Sequence, residues 1–385
     1  MTTAPLSKPG YSQTSPSARF STRSPLGPLR SVLRSKLVSA LAYPHSVDHY
    51  LELVSPLWSV DRIRAEVVEV IRETADVVTL VLRPNENFGS YKAGQYVAIT
   101  VEVEGVRHTR CFSLSSSPLR PDGLITLTIK ARAQGGLVSP YLVKHAKPGL
   151  SLVLSAAQGD FVIPEQLPEK FLFISGGSGI TPGMGMLRTL LGGGYRGRIV
   201  FVHYARTPAD VIFGAELRAL AAQHENLTLV VETESERGSL PDLNHESLSA
   251  LVADYASWDA WVCGPTPLMD AARRVFAAQG AESRVRTEQF VTASQPLSFE
   301  NEAGLVQFAR SKKRLEGDKR NLLEQAEASG LSPKSGCRMG ICQSCKCRKL
   351  EGVTRDLRTG ELSTDSNVDI QLCVSVPVGN VSIDL

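Results

Sequence analysis

The residues best suited to chemistry lie near the end of the chain. Seven cysteines occur in 385 residues, and five fall within the last fifty. Three follow the spacing Cys337-x4-Cys342-x2-Cys345 inside SGCRMGICQSCKC, and Cys373 stands apart in LCVS. Three thiolates from a tight loop and one from a distant strand can enclose two irons, with two sulfurs on each. C-x4-C-x2-C followed by a remote cysteine is the plant-type 2Fe–2S spacing. Gly336 and Gly340 let the backbone approach and aim N–H groups at the sulfurs, which tunes the reduction potential. Zinc or free thiols are the alternatives, but zinc knuckles use paired short spacings such as two C-x2-C units. Cys347, at alternate spacing from Cys345, is expected to face the core as a small hydrophobe. No secretory signal is apparent, so a disulfide framework is not expected.

Two other stretches carry the residues needed to hold phosphates. In KARAQGGLVSPYL, Gly135, Gly136 and Ser139 precede a short helix, where backbone N–H groups can hold a phosphate or pyrophosphate. A plain turn with a capped helix is the competing reading. In ISGGSGITP, Gly176, Gly177 and Gly179 permit close approach of a dinucleotide pyrophosphate to a helix N-terminus. Thr181 and Pro182 are expected there as cap and first-turn residues. Arg206, in HYAR, lies just past the next strand, where a cation reaches a ribose or its 2′-phosphate. Arg237 is a second candidate, and a plain surface arginine is the alternative for each. No acid clearly closes that strand to take a free 2′-hydroxyl, which favours NADPH over NADH.

The elements that must position these residues fall into three groups. Residues 64–70, 77–83, 95–103, 107–114 and 124–131 read as strands broken by Gly and Asn, with no long helix between them, and predict an antiparallel barrel. From Lys170 the pattern changes: FLFIS, IVFVHYA, LTLVVET and DAWVCG are buried strands alternating with helices, as in a parallel α/β sheet. After TASQPLS, a linker, the last unit runs from about Phe299. The expected organisation is a basic tail with an amphipathic helix (1–45), a flavin-type barrel (46–165), a nucleotide-binding α/β domain (166–291) and an α+β, β-grasp iron–sulfur domain (298–385).

Composition bounds the function classes. Hydrophobic residues make up 42% and charged residues 21%, values of a globular chain with a real core. No apolar run reaches the roughly 18–20 residues needed to span a bilayer; Ile174 to Leu191 is interrupted by glycines 176, 177, 179, 183 and 185. Residues 1–47 contain six cations and no acid against a net charge of +3 for the whole chain, leaving −3 for the remainder. Nothing marks a nucleic-acid surface. The tail reads as solvated, although acid-poor, Arg- and Ser-rich beginnings also occur in transit peptides. Its LRSVLRSKLVSAL segment (29–41) is basic and amphipathic, fit either to lie on an anionic membrane or to pack on the body.

Together these motifs resemble the ferredoxin-NADP reductase superfamily fused to a plant-type ferredoxin, the group that includes phthalate dioxygenase reductase. Arg110-Cys111-Phe112-Ser113 is similar to its R-x-Y-S signature. The resemblance implies that Arg110 meets a flavin phosphate, Phe112 covers the isoalloxazine and Ser113 hydrogen-bonds near flavin N5. Phe112 stands where Tyr is usual, keeping the ring stacking and losing the phenol hydroxyl. Cys263-Gly264-Pro265 matches the family's C-G-P, which implies a thiol beside nicotinamide C4; a buried structural cysteine is the alternative. Glu288 and Phe290 match an E-x-F element near the flavin, with a salt bridge and core packing as their ordinary roles. In the last 85 or so residues, GCRMGIC resembles reductase-fused ferredoxins, with Gln343 where many relatives have Gly. Phe299 to Leu385 carries thirteen Lys and Arg against twelve Asp and Glu, unlike the acidic face of free ferredoxins.

The resemblance implies FAD, with FMN the alternative, a 2Fe–2S cluster, and NADPH, with NADH the alternative. A hydride carries two electrons and a 2Fe–2S cluster accepts one, so the flavin takes the pair and releases it singly. LVSPLWS and TRDLRTGEL look most like reductases serving membrane fatty-acid desaturases, which makes an acyl-CoA desaturase the expected acceptor of a reductase that is cytoplasmic, with a peripheral place at the membrane the alternative. A ring-hydroxylating dioxygenase, cytochrome P450 or alkane hydroxylase is the first alternative. A non-enzymatic iron–sulfur or zinc scaffold is the alternative of another class.

Overall fold

The computed structural model describes residues 29–43, 45–103, 106–131, 137–237, 243–289, 304–318, 320–336, 338, 340, 343–357 and 360–385. Three short helices come first: α1 (Arg30–Leu33), α2 (Lys36–Leu41) and α3 (Val47–Val54). The amphipathic stretch read as one helix is broken at Ser35, whose Oγ accepts from Val38 N (3.3 Å) and so starts α2. Helix α3 was not anticipated. Ser46 caps it, and Asp48 turns inward to accept from Ser59 Oγ (2.8 Å) and Val60 N (2.6 Å).

The first sheet contains β1 (Ile63–Thr74), β2 (Val77–Pro84), β3 (Tyr96–Val103), β4 (Val106–Ser113), β5 (Ile125–Lys130) and β6 (Ser151–Leu154). They run antiparallel in the order β4-β3-β6-β1-β2-β5. Beyond the edge strands, a Leu114–Leu127 bridge and the bond from Ser115 N to Thr126 O (2.9 Å) bring the ends together, so the sheet nearly closes into a barrel. Its interior holds Val67, Leu80, Val97, Ile99 and Leu127, and α4 (Val138–His145) adds Val138 and Leu142.

The second unit alternates β7 (Lys170–Gly176), α5 (Ile180–Gly192), β8 (Arg198–Ala205), α6 (Gly214–Gln223), β9 (Leu227–Thr233), α7 (Glu234–Arg237), α8 (His245–Leu251), β10 (Asp259–Cys263), α9 (Thr266–Ala277) and β11 (Val285–Glu288). Its five strands are all parallel, in the order β11-β10-β7-β8-β9. Helices on both faces bury these strands, which explains their uninterrupted apolar runs. Phe171, Phe173, Phe201 and Trp261 pack on the α5 side, with Leu172, Ile174, Val202 and Val262 on the other.

Helix α5 also docks against the barrel. Arg188 donates to Ser115 O (2.5 Å) while gripping Glu216 with two further bonds (2.8 and 2.6 Å). Thr189 Oγ1 bonds Ser117 Oγ at 3.1 Å. Between them, a Cβ on Gly185 would fall 2.6 Å from Leu114 O, so only glycine permits this approach.

The third unit has a mixed sheet: β12 (Leu305–Phe308), β13 (Lys313–Glu316), β14 (Lys346–Asp356), β15 (Leu362–Ser363), β16 (Val368–Gln371) and β17 (Ser375–Ile383). The order is β13-β12-β17-β14-β15, with β16 on β14 and β12 parallel to β17. Helix α10 (Leu322–Ala328) lays Leu322, Leu323 and Ala326 on Val306 and Phe308. Barrel, parallel sheet and helix-clasping mixed sheet are the three architectures expected from the residue pattern.

Candidate functional site

Parallel pairing sets Glu288, Cys263, Ser175 and His203 opposite one another in a single row across β11, β10, β7 and β8. Registered neighbours in a sheet point to the same face, and this row lies at the carboxyl ends of the strands, where open α/β sheets bind ligands. Burial, helped by the Glu288 charge, pushes the Cys263 thiol up, so it stays neutral. Burial likewise pushes the Glu288 carboxyl up to about 8, with the Ser113 hydroxyl pulling it down. That pull falls short of a full hydrogen bond: Ser113 Oγ and Glu288 Oε2 are both shut off from solvent with no partner among the described residues. Leaving two buried polar atoms unpaired is costly. They fit a polar ligand edge inserted between barrel and sheet, as a flavin would supply.

Ser175 and His203 were missed by the sequence reading. Ser175 Oγ lies 2.9 Å from His203 Nδ1, while His203 Nε2 is buried without a partner among the described residues and burial pulls the imidazole down to about 4. The available signal was a polar residue inside each of the otherwise apolar runs FLFIS and IVFVHYA. Ser175 and Cys263 line a small cavity with Phe161 and Trp261.

The two nucleotide loops touch. A Cβ on Gly176 would come 2.9 Å from Pro265 Cδ, and one on Gly179 would collide with the Cys263 carbonyl; Gly177 holds a left-handed φ of 54°. Gly264 is equally tight against Gly176 N, at 3.0 Å. Thr181 does not cap α5 as expected. Gly179 is the N-cap residue, without a side-chain cap, and Thr181 Oγ1 donates to Ser178 O (3.1 Å) from inside the first turn. Arg206 is exposed past β8, its carbonyl accepting from Ser235 N (2.9 Å).

On the barrel, β4 presents Arg110, Phe112 and Ser113 near its end. Arg110 Nη1 donates to Thr109 O (2.8 Å), and half-buried Phe112 packs against the barrel core. Ser139 lies in the first turn of α4. Gly135, Gly136 and Phe290 lie outside the described residues, as does the Arg237 side chain.

In the third unit, Cys345 and Cys373 are buried with their sulfurs 3.1 Å apart, too far for a disulfide. Gly340 N donates to Cys373 Sγ at 3.2 Å from a left-handed φ of 72°. Two unbridged sulfurs this close, with a backbone donor on one, fit thiolates sharing one iron. Cys337 and Cys342 lie outside the described residues. Gln343 adopts φ 56°, the strained region for a side chain. Cys347 is half-buried, its thiol donating to Asp384 O (3.3 Å) and held protonated by burial. Arg338 of the cluster loop, paired with Glu327, sits close enough to β4 that it and Arg110, after burial, lower the His108 pKa.

Three family models match the chain in succession. Residues 64–163 match the oxidoreductase FAD-binding domain, 173–274 the oxidoreductase NAD-binding domain and 307–378 the 2Fe-2S iron-sulfur cluster binding domain. The chain is 39% identical over 355 residues to an NADPH oxidoreductase of Mycobacterium tuberculosis, covering 91% of each. The chain belongs to the FAD- and NAD-binding reductases with a C-terminal 2Fe–2S domain. The reductase is also 31% identical to the glycine betaine monooxygenase reductase subunit of Chromohalobacter salexigens, over 85% of this chain and 96% of that one. In fold it is similar to phthalate dioxygenase reductase, with a TM-score of 0.59 at 21% identity over 84% of this chain and 97% of that one. It is an NAD(P)H-dependent oxidoreductase that couples a flavin to a 2Fe–2S cluster.

Proposed function

We propose that the reductase passes electrons from NADPH through FAD and the cluster to an oxygenase component. The observation that carries the chemistry is the pair of unpartnered buried atoms, Ser113 Oγ and Glu288 Oε2, beside Cys263 where barrel and sheet meet. A flavin held here would supply hydride acceptance from the coenzyme and one-electron release toward the cluster. Arg110 and the N–H groups near Gly135, Gly136 and Ser139 hold its phosphates, and Phe112 covers its ring. Ser113 orients its reacting edge, and Glu288, carrying a proton near neutral pH, supplies or takes one there. Phe290 packs beside the same ring. Gly176, Gly177, Gly179 and Thr181 seat the coenzyme pyrophosphate. Cys263, Gly264 and Pro265 hold the nicotinamide against the flavin, the neutral thiol excluding water. Arg206 takes the 2′-phosphate. Cys337, Cys342, Cys345 and Cys373 ligate the cluster.

The acceptor reading differs from the sequence expectation. Relatives named as reductase components of monooxygenases and a neighbour named as a dioxygenase ferredoxin reductase support the first alternative better than a fatty-acid desaturase. A cytoplasmic place suits a protein that draws on NADPH. Among the described residues no helix is long and apolar enough to cross a membrane. The test is reconstitution of the purified protein with NADPH and, in parallel, a Rieske-type oxygenase and a membrane acyl-CoA desaturase. Substrate-dependent oxygen uptake with the oxygenase is expected; turnover with the desaturase alone would overturn the assignment.

A further inference from the structure

Electrons that reach the cluster leave it through surface close to its ligands, because transfer slows steeply with distance. A groove of about 430 Å³ opens beside one of those ligands, with buried Cys345 in its lining. The cluster loop's electrostatic link to the barrel runs through Arg338, which is not among the lining residues.

The walls of the groove are charged, and unevenly. Arg310, Lys334, Lys346 and Arg348 line it against two acidic side chains, Asp369 and Asp384. The balance stays positive when a carboxylate at Leu385 is counted as well. Arg310 meets Asp384 at 2.6 Å, while Lys346 (3.2 Å) and Arg348 (3.5 Å) share Asp369. Lys334 is exposed and has no acid partner among the described residues. The pairs do not cancel the surplus, since two cations divide one acid and a third cation stands alone. Nor do they lock it away. The paired side chains are 37–73% exposed, and ion pairs so open to water contribute little, so an incoming carboxylate competes for the same cations.

We infer that this groove is the docking face for the electron acceptor, and that the acceptor meets it with an acidic surface around its own redox centre. All four cations are exposed and come from three separate segments: the turn after β12, the loop after α10 and strand β14. They ring an opening instead of converging on one buried anion, which suits the broad face of a protein. Complementary charge speeds encounter and fixes orientation more than it tightens a complex. That balance fits a partner that must bind, take one electron and depart. The inference rests on the reading of the chain as an electron-transfer reductase.

Titration of the full-length flavin- and cluster-loaded protein with two haem proteins of opposite charge tests it. Acidic cytochrome b5 should bind at low salt and lose about tenfold in affinity as salt rises to physiological strength. Basic cytochrome c should bind weakly, and its reduction by NADPH should quicken with salt. The triple variant Lys334→Glu/Lys346→Glu/Arg348→Glu should reverse both trends, with ferricyanide reduction by NADPH unchanged. Arg310→Glu/Lys334→Glu, which leaves residues 345–348 untouched, gives the same readout should the first variant fail to load its cluster. Tighter binding of cytochrome c than of cytochrome b5 by the wild type would overturn the inference, and so would variants that leave both trends as they were. Wild-type protein that reduces ferricyanide and neither cytochrome would instead indict the electron-transfer reading, leaving the binding titration to judge the surface.

Discussion

The nicotinamide sheet and the cluster loop place their chemistry by opposite means. In the sheet, parallel register alone brings Glu288, Cys263, Ser175 and His203 into one row from four strands far apart in sequence. In the cluster loop, Cys345 and Cys373 are brought to 3.1 Å by a chain that must hold left-handed φ at Gly340 and Gln343. The first arrangement is built by the packing of buried strands. The second stores strain that iron–sulfur bonds offset, so its stability should depend on the cluster far more than the sheet's depends on nucleotide.

The largest effect that would separate the two regions comes from Cys373→Ser. It should abolish reduction of cytochrome c while leaving ferricyanide reduction near wild type; losing both in steady-state assays would break the separation. Next, Glu288→Gln should slow ferricyanide reduction about 100-fold, the scale of a positioned proton donor, and remove any inflection near pH 8. The same group has a stability signature. Its carboxyl titrates at about 8 in the folded chain against an ordinary 4.5. Between those values the folded state keeps a proton that the unfolded chain has released, so the melting temperature should fall as pH rises across that window. In Glu288→Gln that slope should flatten, as thermal scans at successive pH values would show.

A smaller change is expected from Arg110→Ala: loss of one charge-assisted phosphate contact should weaken flavin retention by about tenfold to a hundredfold in a dilution assay. The smallest sharpens the comparison from the other side. Gln343→Gly should relieve a left-handed side chain worth about 1 kcal/mol and slow the bleaching of the cluster on warming. Faster bleaching would show that Gln343 is not strained.

What could be read in advance follows the same contrast. Cluster ligands are a matter of spacing, so Cys337, Cys342, Cys345 and Cys373 could be singled out with no fold in hand. Cys263 and Glu288 emerged only through their motifs. Ser175 and His203 escaped because each sits in a run that reads as core, and only strand order reveals that Ser175 stands beside Cys263 with His203 next in the row. Thr181 was misplaced as a cap because the glycine before Ile180 takes the N-cap position and leaves the hydroxyl inside the first turn. Asp48 escaped because α3 was not expected, although Ser46 is a helix-start residue.

One contact in the fold bears on how the enzyme turns over. At Gly185 the α5 backbone lies against Leu114, with the Arg188 fork and Thr189 fastened on either side. Lobes stitched that closely do not gape apart between catalytic cycles. Coenzyme must come and go by local side-chain rearrangement, and adding sucrose or glycerol as a viscogen should leave the ferricyanide rate unchanged.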